Sequence, residues 1–319
     1  MFVSLESALQ RILPRGEIES LDHTAIARLR QPERTTVFSA RAARLRALAE
    51  DSPIADYLRL MADVADTQQS LLAGSHFEGP PVDRIELAQA HGMPPLQAVA
   101  WERDPAWRGL LDQLLARVAA LPTTAAAARE VCERWRDVLA RDPQTVEALA
   151  DAVLAERAVG VDSAAAPLVM AALQVYWTDM ACRFDPKAMP VASPFGVCPM
   201  CGSLPVASVV RVGGKSDGLR YLSCSLCSCE WHLVRVTCSQ CQGTKDIAYH
   251  NIEGRSEAIK AESCDSCHSY RKIFYQEKDL HVDPVADDLA SLALDVLMGE
   301  AGYHRANGNP LLWHEEAAE

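Results

Sequence analysis

Four Cys-x-x-Cys pairs follow one another between Cys198 and Cys267: CPMC at 198–201, CSLC at 224–227, CSQC at 238–241 and CDSC at 264–267. They use eight of the eleven cysteines. The first two pairs are separated by 22 residues and so are the last two, so Cys198, Cys201, Cys224 and Cys227 map onto Cys238, Cys241, Cys264 and Cys267 by a shift of 40. That is an internal repeat. Each pair sets two thiolates on one side of a tight knuckle, and two facing knuckles make a tetrahedral four-sulfur site that suits Zn2+ or a single iron. Two such metal sites are expected. Adjacent pairing, with 224/227 joined to 238/241 and the outer pairs joined to each other, stays open, although the repeat argues against it.

Other cysteine chemistry fits less well. No secretory leader is read in MFVSLESALQRILPRGEIES, which has early acidic residues and no unbroken apolar run, so disulfide pairing is not favoured. A thioredoxin-like redox motif needs each pair to open a helix, and none of the four does so convincingly. An enzyme is not expected either. Four thiolates close the shell of a metal that a catalytic zinc would leave open to water. The chain has no glycine-rich phosphate loop and no HExxH. His232, His250, His268 and His281 lie near the sites, where a surface or supporting role is expected rather than ligation.

The segments between the knuckles read as small β-rich units. PVASVVRV after Cys201 alternates as a strand, GGKSDG turns, and LRYLS returns to Cys224; DIAYHNI, the turn at Glu253 and Gly254, and EAIKAES repeat the plan. WHLVRV from 231 and YRKIFYQ from 270 are expected to leave each unit as strands. Units this small bury little apolar surface, so bound metal would contribute folding free energy. Only WHLVRV lies between them, so they should abut.

Around this centre the chain has 319 residues, an apolar fraction of 49% and a formal charge of -12. The length suits about two domains. The charge disfavours nucleic acid and anionic lipid unless a local patch overrides it, and Arg211, Lys215, Arg220 and Arg235 are the candidates for one. AAAPLVMAALQV from 164 is the most apolar stretch and falls short of the roughly 20 residues a membrane helix needs. A cytoplasmic protein without membrane insertion is expected.

The positioning elements before the cysteines read as helical to about residue 185, with residues 1–35 loosely ordered apart from a short helix at 3–12. Phe38, Ala42, Leu45, Leu48 and Ala49 share one face, and Ile54, Tyr57, Leu58, Met61 and Val64 share another after Pro53, with Asp51 or Ser52 as cap. Basic residues 41, 44 and 46 are read as a solvated face. GSHFEGPP is a turn, IELAQAHG and PPLQAVAW are short pieces, and Trp107, Leu110, Leu111, Leu114 and Leu115 form the next stripe. Thr123 or Thr124 should cap an alanine-rich helix containing Cys132 and Trp135, and another helix should follow Pro143. Cys132 and Cys182 are read as packing residues. The helix from Ala165 to about Asp179 is apolar nearly all round except at Gln174, Thr178 and Asp179, so it should be central. A proline-rich linker at 186–197 then leads to one metal unit at 198–236 and a second at 237–276. Residues 277–319 carry one amphipathic helix, capped by Asp283 and striped by Val285, Leu289, Leu292, Val296 and Leu297, and a tail exposing Trp313. Asp287 and Asp288 are read as charges favoured near a helix N-terminus.

CPMCGSLPVASVV, LRYLSCSLCSCEWHLVRVTCSQC, AIKAESCDSCHSYRKIFYQEKD and DPVADDLASLALD resemble the FdhE family, the formate dehydrogenase accessory proteins of bacteria. ARAARLRALAEDSPIADYLR and ALQVYWTDM extend the resemblance into the helical part. It implies rubredoxin-like metal sites on the eight cysteines. It also implies a non-catalytic, cytoplasmic protein needed for assembly or activation of a respiratory molybdenum-dependent formate dehydrogenase, with that enzyme's catalytic subunit as partner before export. Cys229 departs from the family pattern and places a ninth thiol beside the first site. The expected fold is therefore an all-helical N-terminal domain, two tandem rubredoxin-like or zinc-ribbon-like modules and a C-terminal helix.

Ligand spacing does not separate iron from zinc. The CPMCG knuckle, with Pro199 and Gly202, has the rubredoxin form, and the resemblance favours iron. Iron would add electron transfer as an alternative function; a metal-ribbon module for nucleic acid is the other.

Overall fold

The computed structural model describes residues 26–157, 159–190 and 195–313; the helix expected at 3–12 lies outside them. Among the described residues seven helices build the N-terminal part: α1 (Val37–Ala49), α2 (Ala55–Gly74), α3 (Val82–His91), α4 (Trp107–Ala120), α5 (Ala126–Arg141), α6 (Pro143–Leu154) and α7 (Ala166–Arg183). Every residue of α7 from Ala166 to Ala181 is buried, with α2, α4 and α6 packed round it. An all-round apolar helix has no other stable place. Asp142 caps α6, accepting from the Thr145 amide at 3.4 Å, with Pro143 in the first turn. Neither Thr123 nor Thr124 caps α5: its cap position is Ala125, and the Thr124 hydroxyl donates back to the Val118 carbonyl. Nor does Asp51 or Ser52 cap α2, whose cap position is Ile54.

Eight strands form one sheet: β1 (Leu29–Arg30), β2 (Pro205–Val210), β3 (Arg220–Cys224), β4 (Glu230–His232), β5 (Ile247–His250), β6 (Ile259–Cys264), β7 (Ser269–Tyr275) and β8 (His304–Arg305). Its order is β1-β4-β3-β2-β7-β6-β5, with β8 also on β7. The duplication is plain in three dimensions. Each unit is an antiparallel meander, β2-β3-β4 and β5-β6-β7, and the two join through a parallel pairing of β2 with β7, Ser208 opposite Ile273. The units thus share one sheet. WHLVRV is strand only to His232; Val234 and Val236 are exposed and Val236 takes a positive φ.

The described part of the stretch expected to be loose, residues 26–35, is tied down, because β1 pairs with β4, Leu29 opposite Trp231. Gln31 donates to the Ala181 and Phe184 carbonyls, and Arg34 pairs with the buried Asp179 at 2.6 Å. The C-terminal helix is two pieces, α8 (Pro284–Ala290) and α9 (Leu292–Glu300). Asp283 caps α8 as expected, accepting from the Val285 and Ala286 amides. The break falls at Ser291, where the Lys272 ammonium of β7 binds the Asp288 and Ser291 carbonyls and the Ser291 hydroxyl bonds back to Asp287. These bonds compete with the helical ladder. Beyond the break Val296 and Leu297 are exposed, so the expected single stripe does not run through.

Two of the arginines read as a solvated face, and the aspartates read as charges favoured near a helix N-terminus, are tied into ion pairs. Asp287 and Asp288 are 0% exposed: Asp287 meets Arg44 of α1 at 2.6 Å, and Asp288 meets Lys272 and Arg305. Arg41 is 3% exposed and pairs with Asp283. Only Arg46 of that group keeps to the surface, with Asp63 and Asp66. Trp313 is half-buried, its indole N–H donating to the Pro310 carbonyl. One continuous apolar core runs from the helices through Cys198, Cys201, Cys224 and Cys227 to Leu289 of α8 and Leu311. A separate small cluster, Ala261, Tyr270, Leu294 and Met298, underlies the second unit.

Candidate metal centres

The structure brings the eight predicted cysteines together as two clusters, 198/201/224/227 and 238/241/264/267, each with all four sulfurs within 4.8 Å of one another. The repeat pairing is the one adopted, and the adjacent pairing is not. Facing sulfurs lie 3.6 Å apart for Cys198 and Cys227, 3.4 Å for Cys201 and Cys224, 3.6 Å for Cys238 and Cys267, and 3.7 Å for Cys241 and Cys264. A tetrahedron with metal–sulfur bonds of about 2.3 Å has edges of about 3.8 Å. Both clusters have that size, so the donor sets fit one tetrahedral ion each.

The knuckles explain how the sequence achieves this. In the first, the Gly202 amide donates to the Cys198 carbonyl at 2.8 Å and the Cys198 amide to Ser203 at 2.9 Å. The second unit repeats both bonds 40 residues on, Gln242 to Cys238 at 3.1 Å and Cys238 to Gly243 at 2.8 Å. Gly202 and Gln242 both take positive φ, as do Ser228 and His268 at the other corresponding pair. At Gly202 the positive φ favours glycine, and Pro94 would make ordinary contact, at 3.5 Å, with a Cβ placed there. Backbone amides point at sulfur: Leu226 and Cys227 toward Cys224 at 3.3 and 3.4 Å, and Gln240 toward Cys238 at 3.4 Å. Such bonds favour thiolate.

Burial opposes ionising four sulfurs together, and it leaves Cys198 and Cys227 well above the usual thiol range. At Cys201 that burial is outweighed by hydrogen bonds from Cys198, Cys224 and Cys227, and its pKa falls well below that range. Four thiolates in one dry pocket call for a cation among them.

The helical part grips the first cluster in ways the sequence did not signal. The segment after α3 lies along the CPMC knuckle, the Leu96 amide donating to Met200 at 3.0 Å and the Ala98 amide to Cys201 at 2.8 Å. From the centre of α7, the Gln174 side chain donates to the Ser225 carbonyl in the CSLC knuckle at 2.7 Å. Gln68 of α2 in turn donates to Gln174 at 2.9 Å. Gln174 could be noticed only as a polar interruption of an apolar helix.

The remaining candidates fall elsewhere. Among the described residues no histidine belongs to either cluster. His232 packs edge-on against Tyr221 and burial lowers its pKa; His250 bonds Ser263, and His268 lies beside Tyr303. Arg211 and Arg220 make no basic patch, since Arg211 pairs with Glu230 and Arg220, 0% exposed, with Glu262 at 2.7 Å. Cys132 is buried in the helical core, and burial pushes its thiol up to about 11. Cys182 is half-buried and bonds the Pro32 carbonyl. Cys229 is fully buried beside Cys227; its counterpart in the second unit, Ser269, contacts Cys267 Sγ at 3.0 Å.

Three family models match in tandem: "FdhE, N-terminal" over residues 26–193, "FdhE, central domain" over 197–235 and "FdhE, C-terminal domain" over 236–312. Among curated relatives, the "Protein FdhE homolog" of Cronobacter sakazakii is 42% identical over 313 residues, covering 96% of this chain and 98% of the relative. "Protein FdhE" of Salmonella typhimurium is 41% identical over 313 residues with the same coverage, 96% and 98%. The crystal structure of the FdhE protein from Pseudomonas aeruginosa superposes with a TM-score of 0.80 at 40% identity, covering 89% of this chain and 98% of that one. With its cysteine pairs, sheet and helical core all inside those matches, the chain belongs to the FdhE family.

Proposed function

We propose that this protein is a non-catalytic accessory factor for a respiratory molybdenum-dependent formate dehydrogenase, binding that enzyme's catalytic subunit in the cytoplasm before export. The observation that carries this reading is family membership along almost the whole chain, from residue 26 to 312. No helix among the described residues is long and apolar enough to cross a membrane. Cys198, Cys201, Cys224 and Cys227 hold one ion in this reading, and Cys238, Cys241, Cys264 and Cys267 hold a second. Each ion, iron or zinc, supplies folding free energy by fixing two knuckles, and iron would add a one-electron couple.

Tagged protein drawn from formate-respiring cells should retain the catalytic subunit, and cells lacking the protein should lose respiratory formate dehydrogenase activity. Full activity in those cells, with no catalytic subunit captured, refutes the assignment. Elemental analysis with X-ray absorption should find about two ions per chain, each with four sulfur neighbours. Mössbauer spectra of anaerobic samples distinguish iron from zinc. An electron carrier is the second reading, favoured by the exposure of Cys241 in the second cluster; it requires iron with a reversible potential. Nucleic-acid binding is the least supported, given the net charge of -12 and the paired state of Arg211 and Arg220.

A further inference from the structure

The repeat gives the two clusters the same ligands and the same knuckles, but it does not give them the same surroundings. Cys198, Cys201, Cys224 and Cys227 are 0–1% exposed and belong to the main core. In the second cluster Cys238 and Cys264 are buried, Cys267 is half-buried and Cys241 is exposed. The first is roofed by the Leu96–Ala98 backbone and tied to α7 through Gln174. The knuckles of the second are held by β7 and the segment after α9: Arg271 to Ser239, Gln240 to Ala306, Tyr303 to Asp265 and the His304 amide to His268.

We infer that the second cluster is the exchangeable centre of the pair, open to an incoming thiolate at Cys241, while the first is a permanent staple. This rests on the reading that each cluster holds an ion. The exchange is a ligand substitution without electron transfer. The incoming sulfur bonds to the ion, the bond from Cys241 Sγ breaks, and the released Cys241 thiolate takes a proton from solvent. The other three sulfurs stay in place.

Arg271 steadies the resting cluster against that step. Its guanidinium sits behind the CSQC knuckle, Nε 2.9 Å from Ser239 Oγ, and together with Cys238 and Cys264 it lines a cavity of about 10 Å3. Its Nη2 is buried without a hydrogen-bond partner. Four thiolates around a divalent ion carry a net negative charge, and a buried cation beside them offsets it. Forty residues earlier the corresponding position is Trp231, so the first cluster has no such cation at that place. The second unit therefore keeps an exposed thiolate at its rim and a fixed positive charge behind it.

The test uses the full-length, zinc-loaded chain, with 4-(2-pyridylazo)resorcinol as metal acceptor, glutathione as the incoming thiol, and N-ethylmaleimide labelling read by peptide mass mapping. Starting from two ions, one should leave at least about tenfold faster than the other, since release from the sealed site requires opening of the core. The fast phase should accelerate with glutathione concentration, and label should reach Cys241 before any cysteine of the first cluster. Arg271→Met should speed the fast phase several-fold and Arg271→Lys should restore it, with the slow phase unchanged. If Arg271→Met fails to fold, the two phases of the unaltered chain still decide the matter. Release of both ions in one phase, a fast phase indifferent to glutathione, or first labelling at Cys198, Cys201, Cys224 or Cys227 overturns the inference. A starting content below two ions overturns the two-ion reading, and this inference with it.

Discussion

Gln174→Leu asks whether the helical part holds the first cluster in place. In the folded chain the Gln174 amide donates to the Ser225 carbonyl at 2.7 Å and accepts from Gln68 at 2.9 Å, all in the dry core. Leucine has a similar volume, so the change leaves two buried groups short of a partner rather than a void. At about 1–3 kcal/mol for the orphaned Ser225 carbonyl and about 1 kcal/mol for the bond lost by Gln68 Nε2, which keeps the Ala171 carbonyl, less about 1 kcal/mol for added apolar burial, the loss should be about 1–3 kcal/mol. Gln68→Leu together with Gln174→Leu should cost less than Gln174→Leu alone. The second change removes an amide that has lost one of its two acceptors, and also Gln68 Oε1, which is buried without a partner. Denaturant midpoints at fixed metal concentration measure the stabilities, and ion release resolves the site affected. Only release from the first cluster should quicken. A loss under about 0.5 kcal/mol, or a double variant worse than the single, refutes this account of the Gln68–Gln174–Ser225 chain.

Three further outcomes are expected. Replacing Cys238 and Cys241 by serine should disorder the second unit and spare the helices, whereas Cys198→Ser with Cys201→Ser should loosen the helical core they share; limited proteolysis followed by mass spectrometry distinguishes the two. Burial pushes the Glu156 carboxyl from 4.5 up to about 7, so the folded state holds its proton more tightly and stability falls as pH rises through that window. Glu156→Gln should thus be near neutral around pH 4.5 and increasingly stabilising toward pH 7 and above, which melts across pH will reveal. Arg220→Met strips the buried Glu262 of its cation, and denaturant unfolding should show a loss of about 3–5 kcal/mol.

What could be read in advance follows from how local the signal is. The cysteine spacing writes both clusters, because a knuckle needs only a few residues and the 40-residue shift repeats it. The apolar run of α7 likewise announces a central helix. Arg44 looked like a solvated charge and Asp287 like one that only favours a helix N-terminus, because each pairs with the other across 243 residues of the chain. Nothing near either position marks that partnership. The break between α8 and α9 was hidden for the same reason: it is made by Lys272, a residue of another strand. Leu29–Arg30 carries no strand signature, and its pairing depends on β4 offering a free edge.

Duplication creates a problem of assembly that the buried charges answer. Two similar meanders with interchangeable knuckles could exchange places in the sheet, or pair Cys198 and Cys201 with Cys264 and Cys267. The inter-unit ion pair is not symmetric under the repeat. Arg220 of β3 meets Glu262 of β6 at 2.7 Å, but 40 residues after Arg220 stands Lys260, which lies over Tyr275, and 40 before Glu262 stands Leu222, which is fully buried. In an exchanged arrangement the lysine would face the leucine, and its charge would be buried unpaired. A buried pair adds little net stability over apolar residues, so its selective value lies in penalising that alternative. We therefore predict that Arg220→Met combined with Glu262→Leu keeps most of the stability lost by Arg220→Met alone, yet lowers the yield of chains that refold with two correctly ligated ions. Refolding from denaturant with added metal, followed by mapping of protected cysteines, gives that yield. An unchanged yield with recovered stability would remove the specificity role and leave the ion pair a replaceable part of the core.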